Sequence, residues 1–353
     1  MKIALSVAMV SAMTTTAMAE MKVSGLVRAY GGQTSSNDVD TTGDTKAGAG
    51  AHLTAHSQIN LVFKGGIDNT TVFADLDEHN GGSGAYSTTD TDKDFQPSLN
   101  LYTLFIEHKM DKLSVKLGDI YYKAGDTFAR RAGIKTKLGG YSGVFGKDMR
   151  CECSITTVKA PGIGVKYAIS DKMNVGLALH VADKIGGSYG GSGSGNQLAF
   201  EGNFADMIDV RVSIANSTSD KHAGGKTDAL SHNNTHIGVG LNIAGMFIGV
   251  GSGSKTVAAN ADTSNKTDET TFIFKMKAGP GKVIATMGTQ ARAKNTDTGG
   301  LGEYSASATN LVYDIPLGKG AGVQAVYASN SQTSGTADAI TGSYIGGGLY
   351  SAF

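Results

Sequence analysis

The sequence predicts an all-β fold, a transmembrane antiparallel β-barrel of about 16 strands with long extracellular loops and short periplasmic turns. Short stretches alternate between apolar and polar residues with a period of two, which is the periodicity of a strand. The connections between these stretches alternate between tight turns and long polar loops. The chain also has 50 glycines and only 4 prolines, a composition that suits many short strands and turns.

Residues 1–19 are predicted to be a secretory signal peptide, and residues 20–353 the barrel domain. Lys2 gives a positive start, Ile3–Met13 forms an apolar core, and Ala17–Ala19 is a small-x-small cleavage site before Glu20. A transmembrane helix is excluded because this apolar core is too short to span the roughly 30 Å of a bilayer interior. We therefore expect export through the periplasm.

The connections then set the strand count. The predicted tight turns are Gly65–Asn69, Met110–Asp111, Ser170–Lys172, Ala205–Asp206, Ala244–Gly245, Gly279–Gly281 and Pro316–Gly320. The predicted long loops are 31–52, 79–98, 119–160, 185–196, 216–234, 255–268, 292–302 and 330–341. Seven turns and eight loops make fifteen connections, which join sixteen strands.

The strands are predicted to have an apolar face towards lipid and a polar face towards the interior. Ile208, Val210, Val212 and Ile214 share one face, with Asp209 and Arg211 on the other. Several interior positions are small, namely Gly176, Ala178, Gly238 and Gly240. A solid barrel needs bulky inward residues, so these positions favour a water-filled channel. The pattern of Leu101–His108 does not decide which of its two faces points towards lipid.

With no Trp in the chain, Tyr and Phe must supply any aromatic belts at the two membrane interfaces. The aromatic residues near predicted strand ends are Tyr30, Phe63, Tyr102, Tyr167, Phe204, Tyr313, Tyr327 and Tyr350.

The charge balance excludes a polyanion-binding protein. The chain has 31 basic and 31 acidic residues, so nucleic acid is not implied as a partner. Cys151 and Cys153 form a C-x-C in the longest loop, without the second ligand pair of a metal site. We expect a local disulfide or two free thiols there. Asp90–Asp94 opens like a calcium loop, but Phe95 stands where that loop needs glycine. A solvated loop is preferred, with Ca²⁺ as the alternative; no other cofactor or metal is predicted.

Three short motifs resemble the general porins of Gram-negative outer membranes, especially the alphaproteobacterial type: Val23–Arg28, Lys116–Asp119 and the terminal Phe353. The resemblance implies a homotrimer of sixteen-stranded barrels in the outer membrane, in contact with lipid and lipopolysaccharide. It also implies that the barrel-assembly machinery reads Phe353. Finally, it implies that the third loop, 119–160, folds inward to narrow the pore.

Charges around that constriction would set ion selectivity. The loop candidates are Asp119, Asp126, Arg130, Arg131, Lys135 and Lys137; the wall candidates are Arg28, Lys64, Asp75, Lys116, Asp209 and Arg211. The loop holds eight basic residues against four acidic ones, which favours anions. The alternative is that most of these charges are solvated at the rim.

The predicted function is a porin that passes ions and small hydrophilic solutes by diffusion, without catalysis. One alternative is a non-conducting adhesin or structural barrel. Another is an outer-membrane lipid hydrolase, which would need a serine and a histidine side by side with an orienting partner. No serine–histidine pairing stands out in the sequence beyond Ser231–His232, which lies in a predicted loop.

Overall fold

The computed structural model describes residues 21–36, 50–78, 99–120, 160–182, 193–219, 230–258, 264–292, 303–334 and 340–353. These residues form sixteen antiparallel strands that pair in chain order, and β1 pairs with both β2 and β16 to close the barrel. The predicted fold class and strand number are confirmed. Within the described ranges, no helix is long and apolar enough to cross a membrane.

The strands are β1 (Lys22–Ser36), β2 (Gly50–Ile67), β3 (Thr70–Glu78), β4 (Leu99–Met110), β5 (Leu113–Ile120), β6 (Ala160–Ser170), β7 (Met173–Ala182), β8 (Gly193–Phe204), β9 (Ile208–Ser219), β10 (Leu230–Ile243), β11 (Met246–Ala258), β12 (Ser264–Ala278), β13 (Gly281–Arg292), β14 (Tyr304–Pro316), β15 (Ala321–Ser334) and β16 (Ile340–Ala352).

Each of the seven predicted tight turns overlaps a turn in the structure, and their bounds differ by at most three residues. The turn between β10 and β11 is Ala244–Gly245, and that between β8 and β9 is Ala205–Met207. Ala244 and Gly245 both have positive φ, 48° and 81°, as do Ala205 and Asp206. Two consecutive residues of positive φ match the twist of a two-stranded hairpin. Because antiparallel strands pair in chain order and the tight turns alternate with longer connections, all seven turns lie at one end of the barrel.

Most strands extend further than the sequence predicted at the opposite end. β1 continues to Ser36, β9 to Ser219, and β10 begins at Leu230, inside segments predicted as loops. Asp119, Ile120 and Ala160 likewise belong to β5 and β6 rather than to the loop predicted as 119–160. These polar or small residues lack apolar alternation, but main-chain pairing needs only a partner strand, as in Ser219 opposite Leu230.

One irregularity explains why the facing of β4 could not be predicted. Asp75 pairs with Thr103, whereas the next residue, Leu76, pairs with Leu101. Tyr102 is thus the extra residue of a β-bulge, which interrupts the alternation between faces.

The facing predicted for β7, β9 and β10 is confirmed. Ile208 and Ile214 expose 42% and 41% of their surface, while Asp209 and Arg211 between them expose 6% and 4%. Gly176, Ala178, Gly238 and Gly240 lie on the buried, inward face as predicted. Each strand thus has an outward face exposed around the barrel and an inward face towards its interior.

Candidate functional site: the two faces of the barrel wall

The outward face of the wall carries a belt of exposed apolar side chains. Leu179, Leu198, Ile237, Ile248 and Phe272 are each close to half exposed. Others on this face are Val23, Val27, Ile106, Leu117, Ile163, Val165, Leu177, Val239, Val250, Met287, Leu311, Ile345 and Leu349. Soluble monomers rarely expose so large a continuous apolar surface, so this belt suits a lipid environment.

Only some of the aromatic residues that were predicted to flank that belt lie on the outward face. Tyr167, Phe204 and Tyr327 are 41–45% exposed on the outward face, as expected of interfacial anchors. The assignment of Tyr350 to the belt is wrong, because its side chain turns inward and is buried.

The inward face of β7–β16 is buried at mid-strand and mixes polar side chains with apolar ones such as Ile284, Val312 and Val326. His180, Gln197, Ser213, Thr286 and Gln324 are each at most 1% exposed. The sequence predicted that small and polar inward residues would line water, and these side chains do not contact it in this structure. Inward charges that keep contact with solvent include Lys22, Lys64, Glu107 and Lys116 on β1–β5.

Asp209 and Arg211, two predicted wall charges, form one buried cluster with Glu201. The guanidinium Nη1 of Arg211 lies 3.4 Å from Glu201 Oε1, and its Nε lies 3.6 Å from Asp209 Oδ1. All three side chains point inward from β8 and β9. Two carboxylates against one guanidinium leave no local excess of positive charge at this part of the wall.

A second buried cluster, which the sequence did not reveal, joins the last four strands. Asp314 on β14 is 2% exposed. Its Oδ2 lies 2.9 Å from Lys282 Nζ on β13, and its Oδ1 accepts hydrogen bonds from Gln324 on β15 at 3.2 Å and Tyr350 on β16 at 2.9 Å. The alternation of β14 places Asp314 on the inward face, but only the register shows that three partners converge on it.

Lys64 and Asp75, two further predicted wall residues, lie on the inward side of β2 and β3. One transverse row of the ladder there runs Lys22, Lys64, Phe73 and Phe105 across β1–β4. The rings of Phe73 and Phe105 are stacked, with centroids 4.8 Å apart and an interplanar angle of 13°. Both rings are partly exposed, so they are not enclosed in a packed core.

Lys116, also a predicted wall residue, reaches the same rings from β5. Its Nζ lies 4.4 Å from the Phe105 ring centroid and 3.9 Å from Glu107 Oε1. Among the described inward side chains of β1–β6, five are lysines and two are carboxylates, Asp75 and Glu107. The lysines are Lys22, Lys64, Lys109, Lys116 and Lys166. This section of the wall therefore carries an excess of positive charge.

Asp119, a predicted constriction residue, makes a structural contact. Its Oδ2 accepts a hydrogen bond from the main-chain N–H of Leu104 at 3.0 Å. The preceding Gly118 has a φ of +118°, and a Cβ there would lie 2.8 Å from the Phe105 Cα and collide with the Leu104 carbonyl oxygen. The Gly118–Asp119 pair thus lets β5 approach β4 where a side chain would not fit.

The remaining predicted constriction residues lie outside the described residues; they are Asp126, Arg130, Arg131, Lys135 and Lys137. The two cysteines of the longest loop and the calcium-like segment also lie outside them, namely Cys151, Cys153 and Asp90–Asp94. Arg28 pairs with Gln58 and Tyr350 in the ladder between β1, β2 and β16. Phe353 pairs with Gly25 through two main-chain hydrogen bonds of 2.9 and 3.1 Å.

No protein-family model and no curated protein sequence matches the chain. Several solved structures, however, are similar to the chain in fold. The DcaP outer membrane channel of Acinetobacter baumannii is 13% identical with a TM-score of 0.65, covering 96% of this chain and 99% of that one. An anion-selective porin from Comamonas acidovorans is 14% identical with a TM-score of 0.61, covering 95% and 100%. The trimer form of Vibrio cholerae OmpT, an outer membrane protein, is 11% identical with a TM-score of 0.61, covering 95% and 99%. These likenesses establish the barrel fold over nearly the whole chain.

Proposed function

We propose that this protein is an outer-membrane porin of the general porin type that passes ions and small hydrophilic solutes by passive diffusion. The two-faced wall supports this most strongly: an apolar belt faces outward, while charged and polar side chains face the interior of a closed barrel. This is the arrangement of a transmembrane barrel with a polar lumen. The alphaproteobacterial subtype is a further proposal that rests on Val23–Arg28 and Lys116–Asp119.

The channel is proposed to prefer anions. The inward section of β1–β6 supports this, because its described side chains hold five lysines against two carboxylates. Fixed charges near the permeation path favour the oppositely charged ion. The Arg211 cluster is close to charge balance, so the lysines of β1–β6 are the proposed source of the preference.

Several accompanying proposals come from the sequence. Residues 1–19 act as the signal peptide, and the loop predicted as 119–160 narrows the pore. Phe353 is recognised by the barrel-assembly machinery, and the outer surface contacts lipid and lipopolysaccharide. A homotrimer is the proposed assembly, and the trimer form of the compared OmpT protein supports it.

A lipid hydrolase is the less favoured alternative. Ser213 and His236 are ladder partners on β9 and β10, a serine–histidine pairing that the sequence did not suggest. Both are buried on the inward face, away from the apolar belt, and Ser213 Oγ accepts a hydrogen bond from Gln197 at 3.1 Å. In the part of the chain that the structure describes, no hydrogen bond joins Ser213 to His236, so the serine is not activated by that imidazole.

A solute-swelling assay separates the porin from a non-conducting adhesin. Purified protein is reconstituted into liposomes, which are diluted into isotonic solutions of neutral sugars of increasing size. We expect swelling at a rate that falls as the sugar becomes larger, as for a pore of fixed width. Liposomes that contain correctly inserted protein but swell no faster than empty ones would favour the adhesin.

A further inference from the structure

The stacked Phe73 and Phe105 rings are unusual for the inward face of β3 and β4. Their neighbours on that face are polar or charged, namely Thr71, Asp75, Thr103 and Glu107. Two aromatic side chains that keep solvent contact on a polar wall contribute little to core packing. They form instead a partly exposed aromatic pair beside the proposed permeation path.

Lysine side chains stand on both sides of this surface. Lys64 is the direct ladder partner of Phe73, and Lys116 Nζ lies 4.4 Å from the Phe105 ring centroid. Lys22 pairs directly with Lys64 on the same face, and both are exposed. Like charges placed directly opposite across two strands are destabilising. The wall therefore carries a costly charge arrangement next to its aromatic pair.

From this juxtaposition we propose that Phe73, Phe105, Lys64 and Lys116 form a binding site for planar organic anions, such as aromatic carboxylates, on their way through the barrel. The proposal rests on the porin function and adds a solute class to it. The planar group of the solute lies against the Phe73 and Phe105 rings, and its carboxylate faces the ammonium groups of Lys64 and Lys116.

The positive charge around the aromatic pair favours an anionic solute over a cationic or a neutral one. A planar cation would gain from the ring faces but would meet the ammonium groups of Lys22, Lys64 and Lys116 on either side. A neutral sugar could stack on the rings but would gain no charge attraction from the ammonium group of Lys64. Glu107, at 3.9 Å from Lys116, positions that ammonium beside the rings, while Lys64 offers the more exposed contact for a carboxylate.

The experiment measures how three carboxylates reduce the chloride current through single channels in a planar bilayer. Benzoate is planar and aromatic, cyclohexanecarboxylate has the same charge and similar size without the planar ring, and acetate has only the charge. For the wild-type channel we expect half-block by benzoate at a concentration about three- to tenfold below that of cyclohexanecarboxylate, the range that corresponds to one aromatic contact.

Phe105→Leu should remove most of this preference, and Phe105→Tyr should keep it because the ring remains. Phe272→Leu is the matched control: it removes a phenylalanine from the outward belt and should leave the block unchanged. Lys64→Gln should weaken the block by benzoate and by acetate alike, and it tests the site independently should Phe105→Leu fail to fold.

Two results would overturn the inference. One is equal block of the wild type by benzoate and cyclohexanecarboxylate; the other is a benzoate preference that survives in Phe105→Leu. In both cases the chloride current itself persists, so the porin function would stand. A wild-type protein that inserts without conducting chloride would instead refute the porin function, and this inference with it.

Discussion

The hydroxyl group of Tyr350 on the last strand donates a hydrogen bond of 2.9 Å to the carboxylate of Asp314, two strands away on β14. The same carboxylate accepts from Gln324 on β15 and pairs with Lys282 on β13. One buried side chain therefore ties together the four strands that complete the barrel before β16 closes against β1.

Asp314→Ala should destabilise the barrel strongly. The substitution leaves Lys282 without this 2.9 Å partner and removes the acceptor for two further side chains. Loss of one partner of a fully buried pair costs about 3–5 kcal/mol. Because the Lys282 side chain is 34% exposed, solvent screens part of the loss, and we expect about 2–3 kcal/mol. Guanidinium unfolding of the reconstituted barrel measures it.

Asp206→Asn is the matched control, because asparagine also tolerates the positive φ of 58° at this position. Asp206 makes a shorter ion pair, 2.6 Å from Lys172, but in an exposed turn. Exposed pairs contribute about 0–1 kcal/mol, so this variant should unfold close to the wild type. If the two variants lose similar stability, the Asp314 cluster is not the anchor described above.

The outward belt makes a prediction about lipid. Leu179→Lys places a charge on the outward face of β7, where the wild-type side chain is 53% exposed. In a bilayer, a lysine near the midplane of a barrel costs about 2–4 kcal/mol, whereas an exposed lysine in water costs almost nothing. Unfolding in lipid vesicles measures the difference. Thr218→Lys, an exposed outward position on β9 beyond the apolar stretch, is the control, and equal stability of the two variants would argue against a lipid-facing belt.

The Tyr344 ring lies against Gly346 of its own strand and Gly32 of β1, and its hydroxyl donates to the Gly31 carbonyl oxygen at 3.0 Å. A Cβ at Gly346 would collide with the Tyr344 side chain, as would a Cβ at Gly32. Gly346→Ala should therefore destabilise the β16–β1 closure by about 1–3 kcal/mol, as overpacking does. A Cβ at Gly346 would also meet the Gly31 carbonyl oxygen. Combining Gly346→Ala with Tyr344→Ala removes only the side-chain part of the collision, so the double variant should cost somewhat less than the two separate losses added together. Gly65→Ala, whose Cβ would meet nothing nearer than 3.8 Å, serves as the control, and additive losses in the double variant would contradict the steric account.

Ion selectivity should depend on the lysines of β1–β6 and not on Arg211 or Asp119. Lys64→Gln removes an exposed inward charge and should shift the reversal potential in a salt gradient towards cations. Arg211→Gln removes a charge that two carboxylates already compensate, and Asp119→Asn alters a contact to the Leu104 main chain. Both should lower stability more than they move the reversal potential. A larger shift for Asp119→Asn than for Lys64→Gln would contradict this account and support Asp119 as a constriction residue.

Much of the architecture follows from patterns that are local in the sequence. Gly245, which tolerates positive φ, marks the hairpin at Ala244–Gly245 without any tertiary information. The alternation from Ile208 to Ile214 likewise fixes the facing of β9. Strand ends beyond the apolar stretch were missed because their ladder continues through polar residues, as between Ser219 and Leu230.

The site was less accessible to sequence reasoning because its contacts cross strands. Phe73 shares its face with Thr71 and Asp75, so the alternation of β3 could have marked it as an aromatic on a polar face. Its contact with Phe105 depends on the β3–β4 register and on the bulge at Tyr102, which no local pattern reveals. The hydrogen bond from the Leu104 N–H to the Asp119 carboxylate could not be predicted either, because it also crosses from β4 to β5.

Single-channel recording of the purified, refolded protein in a planar lipid bilayer tests the porin function most directly. We predict discrete, long-lived current steps in potassium chloride, in multiples of three if the barrels assemble as a trimer, and a reversal potential of the sign expected for anion preference. Protein that is demonstrably inserted and folded but gives no steps above the bare bilayer would contradict the central claim.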